Sequence, residues 1–300
     1  MVCILTLKNV ANYGINMKKI FITGSAGQLG QALIKLFKSR YEIISTSRST
    51  YNKTDYFLDI TDPILTKDLI ATISPDIIIN LAALTDVDLC EKKPELANSI
   101  NFHGVQNLVN AFNGPIIHLS TDYVFDGAKG QYSEEDATNP INEYGRTKLE
   151  GEQYLAKNSN DSLIIRTNVL YDYASNSNAS FLNWIVHSLN DEKVINVVDD
   201  QINNPTWTMS LAIVIDRAIQ AELNGLIHWG DADWISRYEF ALKIAESFNL
   251  KKDLIEPIKT AELKQTAIRP LKGGLSTIYA EKILNLEPPK IEHCLHQLKK

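Results

Sequence analysis

From Lys19 to Thr167 short apolar runs alternate with stretches whose apolar residues recur at helical spacing. That alternation is the signature of a parallel sheet with crossover helices. Lys19 to Thr23 reads as a strand, and Gln28 to Ser39 sets Leu29, Ala32, Leu33, Leu36 and Phe37 on one helical face. Glu42 to Thr46 and Tyr56-Phe57-Leu58-Asp59 predict further strands, and Asp62 to Ile73 a helix. Asp76 to Asn80 is a continuous buried strand, Pro94 to Phe112 one long helix, and Pro115-Ile116-Ile117-His118-Leu119 an apolar run that ends at Thr121. The stretch 127–142, rich in Gly, Glu, Asp and Asn, predicts a surface loop. A helix from Tyr144 to about Ala156 and a strand over Ser162 to Arg166 follow. Beyond Thr167 the pattern loosens. Residues 171–179 are polar and loop-like; helices are expected at Phe181–Asn190, Met209–Leu223 and Arg237–Phe248, and strands at Val194–Val198 and Leu226–Trp229.

This order predicts an α/β fold, a Rossmann-type doubly wound parallel sheet with a smaller α/β C-terminal lobe. The expected division is an extension over 1–16, a nucleotide-binding domain over 17–167 and a substrate lobe over 168–300, partly interleaved with the first. Residues 1–16 hold only a short apolar run with no basic segment before it, a poor signal peptide. Met17-Lys18-Lys19 looks like the natural opening of the first strand, so an upstream start or a disordered tail is expected. With 300 residues, 44% hydrophobic and 22% charged, the chain has the composition of a soluble globular protein. A net charge of −6 argues against a nucleic-acid-coating surface or a polybasic membrane patch. No apolar run approaches the ~20 residues of a bilayer span, so no membrane partner is expected. Three well-separated cysteines fit a reducing cytoplasm, and neither a disulfide framework nor a metal site is expected.

Gly24-Ser25-Ala26-Gly27-Gln28-Leu29-Gly30 follows the first strand and opens a helix, the setting a dinucleotide fingerprint requires. Gly24 permits the tight turn, Gly27 lets backbone approach a pyrophosphate, and Gly30 allows close helix–strand packing. Gln28 and Leu29 begin the helix whose N-terminus faces the phosphate charge. NAD sites place an acid after the second strand, yet here Ser47 and Arg48 follow, with no acid until Asp55. Ser47 and Arg48 suit a 2′-phosphate, so NADPH is expected, with NADH also open. Arg48 as a plain solvated loop residue is weighted about evenly with that reading. Asp59-Ile60 suits an adenine-edge contact, and Ala83-Leu84-Thr85 a wall beside the cofactor ribose.

The densest chemistry lies in Ser120-Thr121-Asp122-Tyr123-Val124-Phe125-Asp126-Gly127 and Tyr144-Gly145-Arg146-Thr147-Lys148. Tyr144 and Lys148 share a helix face one turn apart. A phenol near its reference pKa of about 10 is a weak acid at neutral pH, and a nearby cation is expected to draw it toward the working range. The Thr121 hydroxyl can reach the same reacting oxygen. The set resembles the Ser/Thr–Tyr–Lys constellation of short-chain dehydrogenase/reductases.

From Lys18 to about Tyr154 the chain resembles the dTDP-4-dehydrorhamnose reductase family of extended short-chain reductases. The matching text is ITGSAGQLG, PDIIINLAALTDVDLCE, STDYVFDG and NPINEYGRTKLEGE, with weaker echoes at 200–206, 238–241 and Arg269-Pro270. The resemblance implies a nicotinamide cofactor and a nucleotide-sugar pocket between the lobes. It implies that Tyr144 donates the proton, Lys148 binds the nicotinamide ribose, Thr121 orients the carbonyl and Asp122 touches the sugar. Two positions depart from it. Where the family usually carries a tryptophan near the sugar nucleotide this chain has Val169, and a first-helix carboxylate that some members use for a metal is Ala32.

The expected function is therefore an NADPH-dependent reductase of a 4-keto sugar nucleotide, in the cytoplasm, with a homodimer left open. A nucleotide-sugar epimerase and a non-catalytic NADP-binding regulatory subunit, like that of methionine adenosyltransferase, are the rival readings. Dehydration is disfavoured because superfamily dehydratases place an acidic pair after the threonine, and here Asp122 is followed by Tyr123. The histidines show no metal-ligand spacing, Glu134-Glu135-Asp136 reads as solvated surface, and Asn101 is divided evenly between an active-site backbone contact and a plain helix position. Arg269 is a weak candidate for a substrate phosphate.

Overall fold

The computed structural model describes residues 17–49, 54–174 and 180–299; the expected extension over 1–16 lies outside them. The elements run β1 (Lys19–Thr23), α1 (Gln28–Phe37), β2 (Glu42–Ser47), β3 (Tyr56–Phe57), α2 (Pro63–Ile73), β4 (Ile77–Asn80), α3 (Val87–Lys92), α4 (Pro94–Asn98), a π-helical segment Ser99–His103, α5 (Gly104–Ala111) and β5 (Ile116–Thr121). Then come α6 (Glu143–Asn158), β6 (Leu163–Thr167), β7 (Leu170–Tyr171), α7 (Phe181–Asn190), β8 (Ile195–Val198), β9 (Ile202–Asn203), β10 (Thr206–Trp207) and α8 (Thr208–Gln220). The chain ends through β11 (Gly225–His228), β12 (Ile235–Ser236), α9 (Arg237–Ser247), β13 (Ile255–Ile258), α10 (Ile278–Leu284) and α11 (Ile291–Leu298).

Seven parallel strands form the central sheet in the order β11-β6-β5-β4-β1-β2-β3. The order reverses direction between β1 and β4, the switch point where doubly wound sheets open a crevice at the strands' carboxyl ends. β4 is Ile-Ile-Ile-Asn and buried throughout, as a strand covered on both faces must be. One face packs Ile20, Ile22 and Ile79 against Leu29, Leu33, Leu211 and Ile215. The other packs Phe21, Ile78 and Ile116 against Ile70, Leu108 and Leu155. A separate cluster around Tyr171, Ile185, Phe240, Ile244 and Leu295 joins the later elements. β11 closes the sheet's edge beside β6 and α8 lies on the first face, so late segments complete the early core.

Several boundaries differ from the sequence pattern for identifiable reasons. The third strand stops at Phe57 because Asp59 turns to accept hydrogen bonds from Thr61 N (3.0 Å) and Oγ1 (2.8 Å). Asp62 is not helical; its carboxylate caps α2 by accepting from Ile64 N and Leu65 N ahead of Pro63. α8 ends early, with Glu222 in the left-handed region at φ 49°. The long helix expected over Pro94–Phe112 is interrupted by one π-helical segment, a feature that often accompanies functional sites. Glu134 does not lie on solvated surface: it is half-buried and accepts from His228 N at 2.7 Å.

Candidate active site

A cavity of about 800 Å³ opens along the carboxyl ends of the strands. At one end, the β1–α1 turn supplies Gly24, Gly27, Gln28, Leu29 and Gly30. Gly24 has φ 62°, and a Cβ there would stand 2.8 Å from Ala82 N, so only glycine lets the β1 and β4 turns meet. A Cβ on Gly30 would lie 2.3 Å from Ser25 O, so the turn rests directly on the helix. Among the described residues no side chain caps the N-terminus of α1, which leaves backbone N–H groups available to an anion.

Ser47 and Arg48 line the same wall beside Asp59 and Ile60. Arg48 Nη1 is 3.9 Å from Asp59 Oδ2. Asp55, the first acid after β2, accepts from Ser45 N (2.8 Å) and Ser45 Oγ (2.7 Å). That carboxylate is spent on the strand. Ala83, Leu84 and Thr85 line the cavity's middle. Asn101, in the π-helical segment, accepts from Leu84 N (2.8 Å) and donates to Leu84 O (3.1 Å) and Thr147 Oγ1 (3.2 Å). The Asn101 contact anticipated as one of two readings is thus the one observed.

At the far end β5 delivers Thr121 and α6 delivers Tyr144 and Lys148, all on the cavity wall. Asn142 fixes the start of α6 by accepting from Gly145 N at 2.9 Å. Thr121 Oγ1 accepts from Tyr123 N at 3.1 Å and donates to Asp122 Oδ1 at 3.4 Å, and it shares the cavity wall with the Tyr144 phenol. Burial pushes that phenol well above its ordinary value, with the Thr121 hydroxyl acting in the opposite sense. This corrects the expectation that Lys148 would draw the phenol down. Lys148 Nζ instead donates to Leu119 O at 2.6 Å and stands 3.3 Å from His118 Nε2. Burial pushes Lys148 down to about 8, partly countered by Glu152, whose carboxylate is itself held two-armed by Arg166.

The substrate candidates Asp122 and Val169 also line the cavity. Burial raises the Asp122 carboxyl to about 6, opposed by the Gly274 N–H and by Arg237. Val169 has φ 40°, a strained conformation for a β-branched residue. Where dehydratases carry a second acid, the Tyr123 ring packs edge-on to Tyr144 with centroids 5.7 Å apart. Arg269 is not on the cavity wall: it is tied to Asp88 at 3.0 Å, which corrects its place as a phosphate candidate. Sequence reasoning missed Arg237, which lines the cavity with its guanidinium 5.3 Å from the Phe181 ring and no carboxylate partner among the described residues. Its only sequence signal was an arginine at a helix start.

The wall also holds unmatched polar groups. Ser120 Oγ, Thr167 Oγ1 and Asn168 Oδ1 are buried and lack hydrogen-bond partners among the described residues, a costly state unless a ligand supplies them. Together with the glycine turn they fit a dinucleotide lying along the cavity. Among the described residues no cluster of metal-ligating side chains occurs, and no helix is long and apolar enough to cross a membrane.

The RmlD substrate binding domain model matches residues 17–300. A dTDP-4-dehydrorhamnose reductase of Aggregatibacter actinomycetemcomitans is 33% identical, covering 94% of this chain and 99% of its own. The crystal structure of the Bacillus anthracis dTDP-4-dehydrorhamnose reductase in complex with NADP superposes with a TM-score of 0.86 at 32% identity, covering 94% of this chain and 99% of that one. The methionine adenosyltransferase 2 subunit beta of Xenopus tropicalis is 30% identical, covering 89% of this chain and 82% of its own. With the site geometry described above, these matches establish that the chain belongs to the dTDP-4-dehydrorhamnose reductase (RmlD) family.

Proposed function

We propose that the chain is an NADPH-dependent reductase of a 4-keto sugar nucleotide. The observation that carries this reading is the placement of Thr121, Tyr144 and Lys148 on the wall of the same cavity as the glycine turn. The bound cofactor would supply a hydride to the keto carbon. Tyr144, kept protonated by its buried surroundings, gives its proton to the carbonyl oxygen as charge develops there. Thr121 orients that oxygen through its hydroxyl, and Lys148 restores the phenol's proton. Gly24, Gly27, Gln28, Leu29 and Gly30 take the pyrophosphate, and Ser47 and Arg48 the 2′-phosphate. Asp59, Ile60, Ala83, Leu84 and Thr85 enclose the adenosine and ribose, while Asp122 and Val169 face the sugar. Arg237 offers an uncommitted cation to the substrate diphosphate. Residues 168–300 contribute Asn168, Val169, Leu170 and Arg237 to this cavity, and the cytoplasm is the proposed setting.

The regulatory reading draws on the likeness to the methionine adenosyltransferase subunit. The presence of Thr121, Tyr144 and Lys148 together favours the enzyme. Incubating the purified protein with NADPH and a panel of nucleotide-linked 4-keto sugars decides between them. Loss of NADPH with formation of the matching alcohol is expected for at least one member. NADPH binding with no turnover of any member would favour the regulatory role.

A further inference from the structure

The middle of β5 is an unusual place for a histidine. His118 is 1% exposed in the middle of an apolar strand. It pairs in register with Asn80 of β4, which pairs in register with Thr23 of β1, so three neighbouring strands carry one polar row across the sheet. The row's hydrogen bonds have a direction. Thr23 Oγ1 accepts from Leu81 N and Ala82 N, each at 3.2 Å, and donates to Asn80 Oδ1 at 2.6 Å. With its oxygen committed, the Asn80 amide presents its NH₂ to His118 Nδ1 at 3.0 Å. An imidazole whose Nδ1 accepts carries its proton on Nε2. That Nε2 lies 3.3 Å from Lys148 Nζ. An ammonium only donates, so it cannot accept from Nε2–H; an amine can.

We propose that His118 is a positioning residue: held as the Nε2–H tautomer by the Thr23–Asn80 row, it disfavours the ammonium form of Lys148 and so sets the pH at which that nitrogen gives up its proton. Burial acts the same way on both partners, holding His118 well below its ordinary value and Lys148 at about 8. The other ionisable groups around this corner are few. On α6 they are Tyr144 and Glu152, the latter bound to Arg166 of β6. Asp122 and Tyr123 after β5 and Cys90 of α3 bear on Tyr144, and Arg237 of α9 bears on Asp122. None replaces the Nε2–H as a partner for Lys148. The catalytic consequence rests on the reductase reading above, in which Lys148 returns a proton to Tyr144.

Two measurements test it. In protein with ¹⁵N-labelled imidazoles, the His118 signals, assigned by their loss in His118→Asn, should show Nε2 protonated and Nδ1 bare at neutral pH. An Nδ1–H tautomer or an imidazolium would overturn the proposal, whatever the protein's activity. The pH profile of kcat with a turned-over keto sugar is the second. Thr23→Val frees the Asn80 amide to rotate while leaving His118 and Lys148 in place, and His118→Leu removes the donor outright. Both should move the basic limb upward by roughly half to one pH unit, the size of one net hydrogen bond, with KM for the sugar little changed. A uniform loss of kcat with an unmoved limb in Thr23→Val would overturn the positioning role. Failure of every keto sugar to react would instead defeat the reductase reading, and the tautomer would still decide this one.

Discussion

Arg48 is the residue on which cofactor choice should turn. Its guanidinium stands 3.9 Å from Asp59, with the two side chains 59% and 30% exposed. A pair so exposed contributes at most about 1 kcal/mol. A 2′-phosphate offers the same guanidinium charge-assisted hydrogen bonds worth about 1.5–3 kcal/mol. Exchanging one partner for the other leaves roughly 1–2 kcal/mol in favour of the phosphate, about 5- to 30-fold in affinity. Arg48→Ala should weaken NADPH binding by that factor and leave NADH nearly unaffected. Asp59→Asn should tighten NADPH up to about fivefold, because an asparagine Oδ1 can keep the Thr61 contacts while the competing charge is gone. Isothermal titration of both cofactors against the three proteins reads these effects. Equal affinity of the wild type for both cofactors, or an equal loss of both in Arg48→Ala, would refute the reasoning.

Val169→Trp should improve kcat/KM for dTDP-4-keto-6-deoxy-L-mannose relative to other keto sugar nucleotides, by the about 0.5–1.5 kcal/mol an aromatic contact adds beyond area burial. The exchange removes a β-branched residue from φ 40°, so the backbone cost does not rise; unchanged ratios across a substrate panel would show that the position does not select. Arg166→Met strips the partner from Glu152, whose side chain is 4% exposed, and should lower stability by about 3–5 kcal/mol in urea titrations. Adding Glu152→Gln should recover most of that loss, and a double variant no more stable than the single one would contradict the account.

The sheet was legible because its strands are apolar runs and its helices amphipathic, two periods that hardly overlap between Lys19 and Thr167. The glycine turn and the Tyr144–Lys148 spacing were legible because backbone geometry demands those residues locally. Contacts between distant segments left no such trace. The pairs β7–β10 and β9–β12 are two residues long, too short to carry a period. Asn101 faces Leu84 through a π-helical segment that no spacing announces, and Arg269 was captured by Asp88 from far along the chain. The direction of the Tyr144 shift was misjudged because sequence proximity gives the nearby cation but not the depth of burial. His118 stands in the sequence as one position of an apolar run, and its bond to Asn80 and approach to Lys148 exist only once three strands and α6 are assembled.

The claim that Tyr144 supplies the proton is tested most directly by Tyr144→Phe, assayed for keto sugar reduction and, separately, for NADPH binding. The substitution removes only the phenol hydroxyl, and general acid catalysis contributes about 10²–10⁴-fold. Turnover should fall by that factor while NADPH affinity stays close to wild type. Wild-type turnover in Tyr144→Phe would contradict the account.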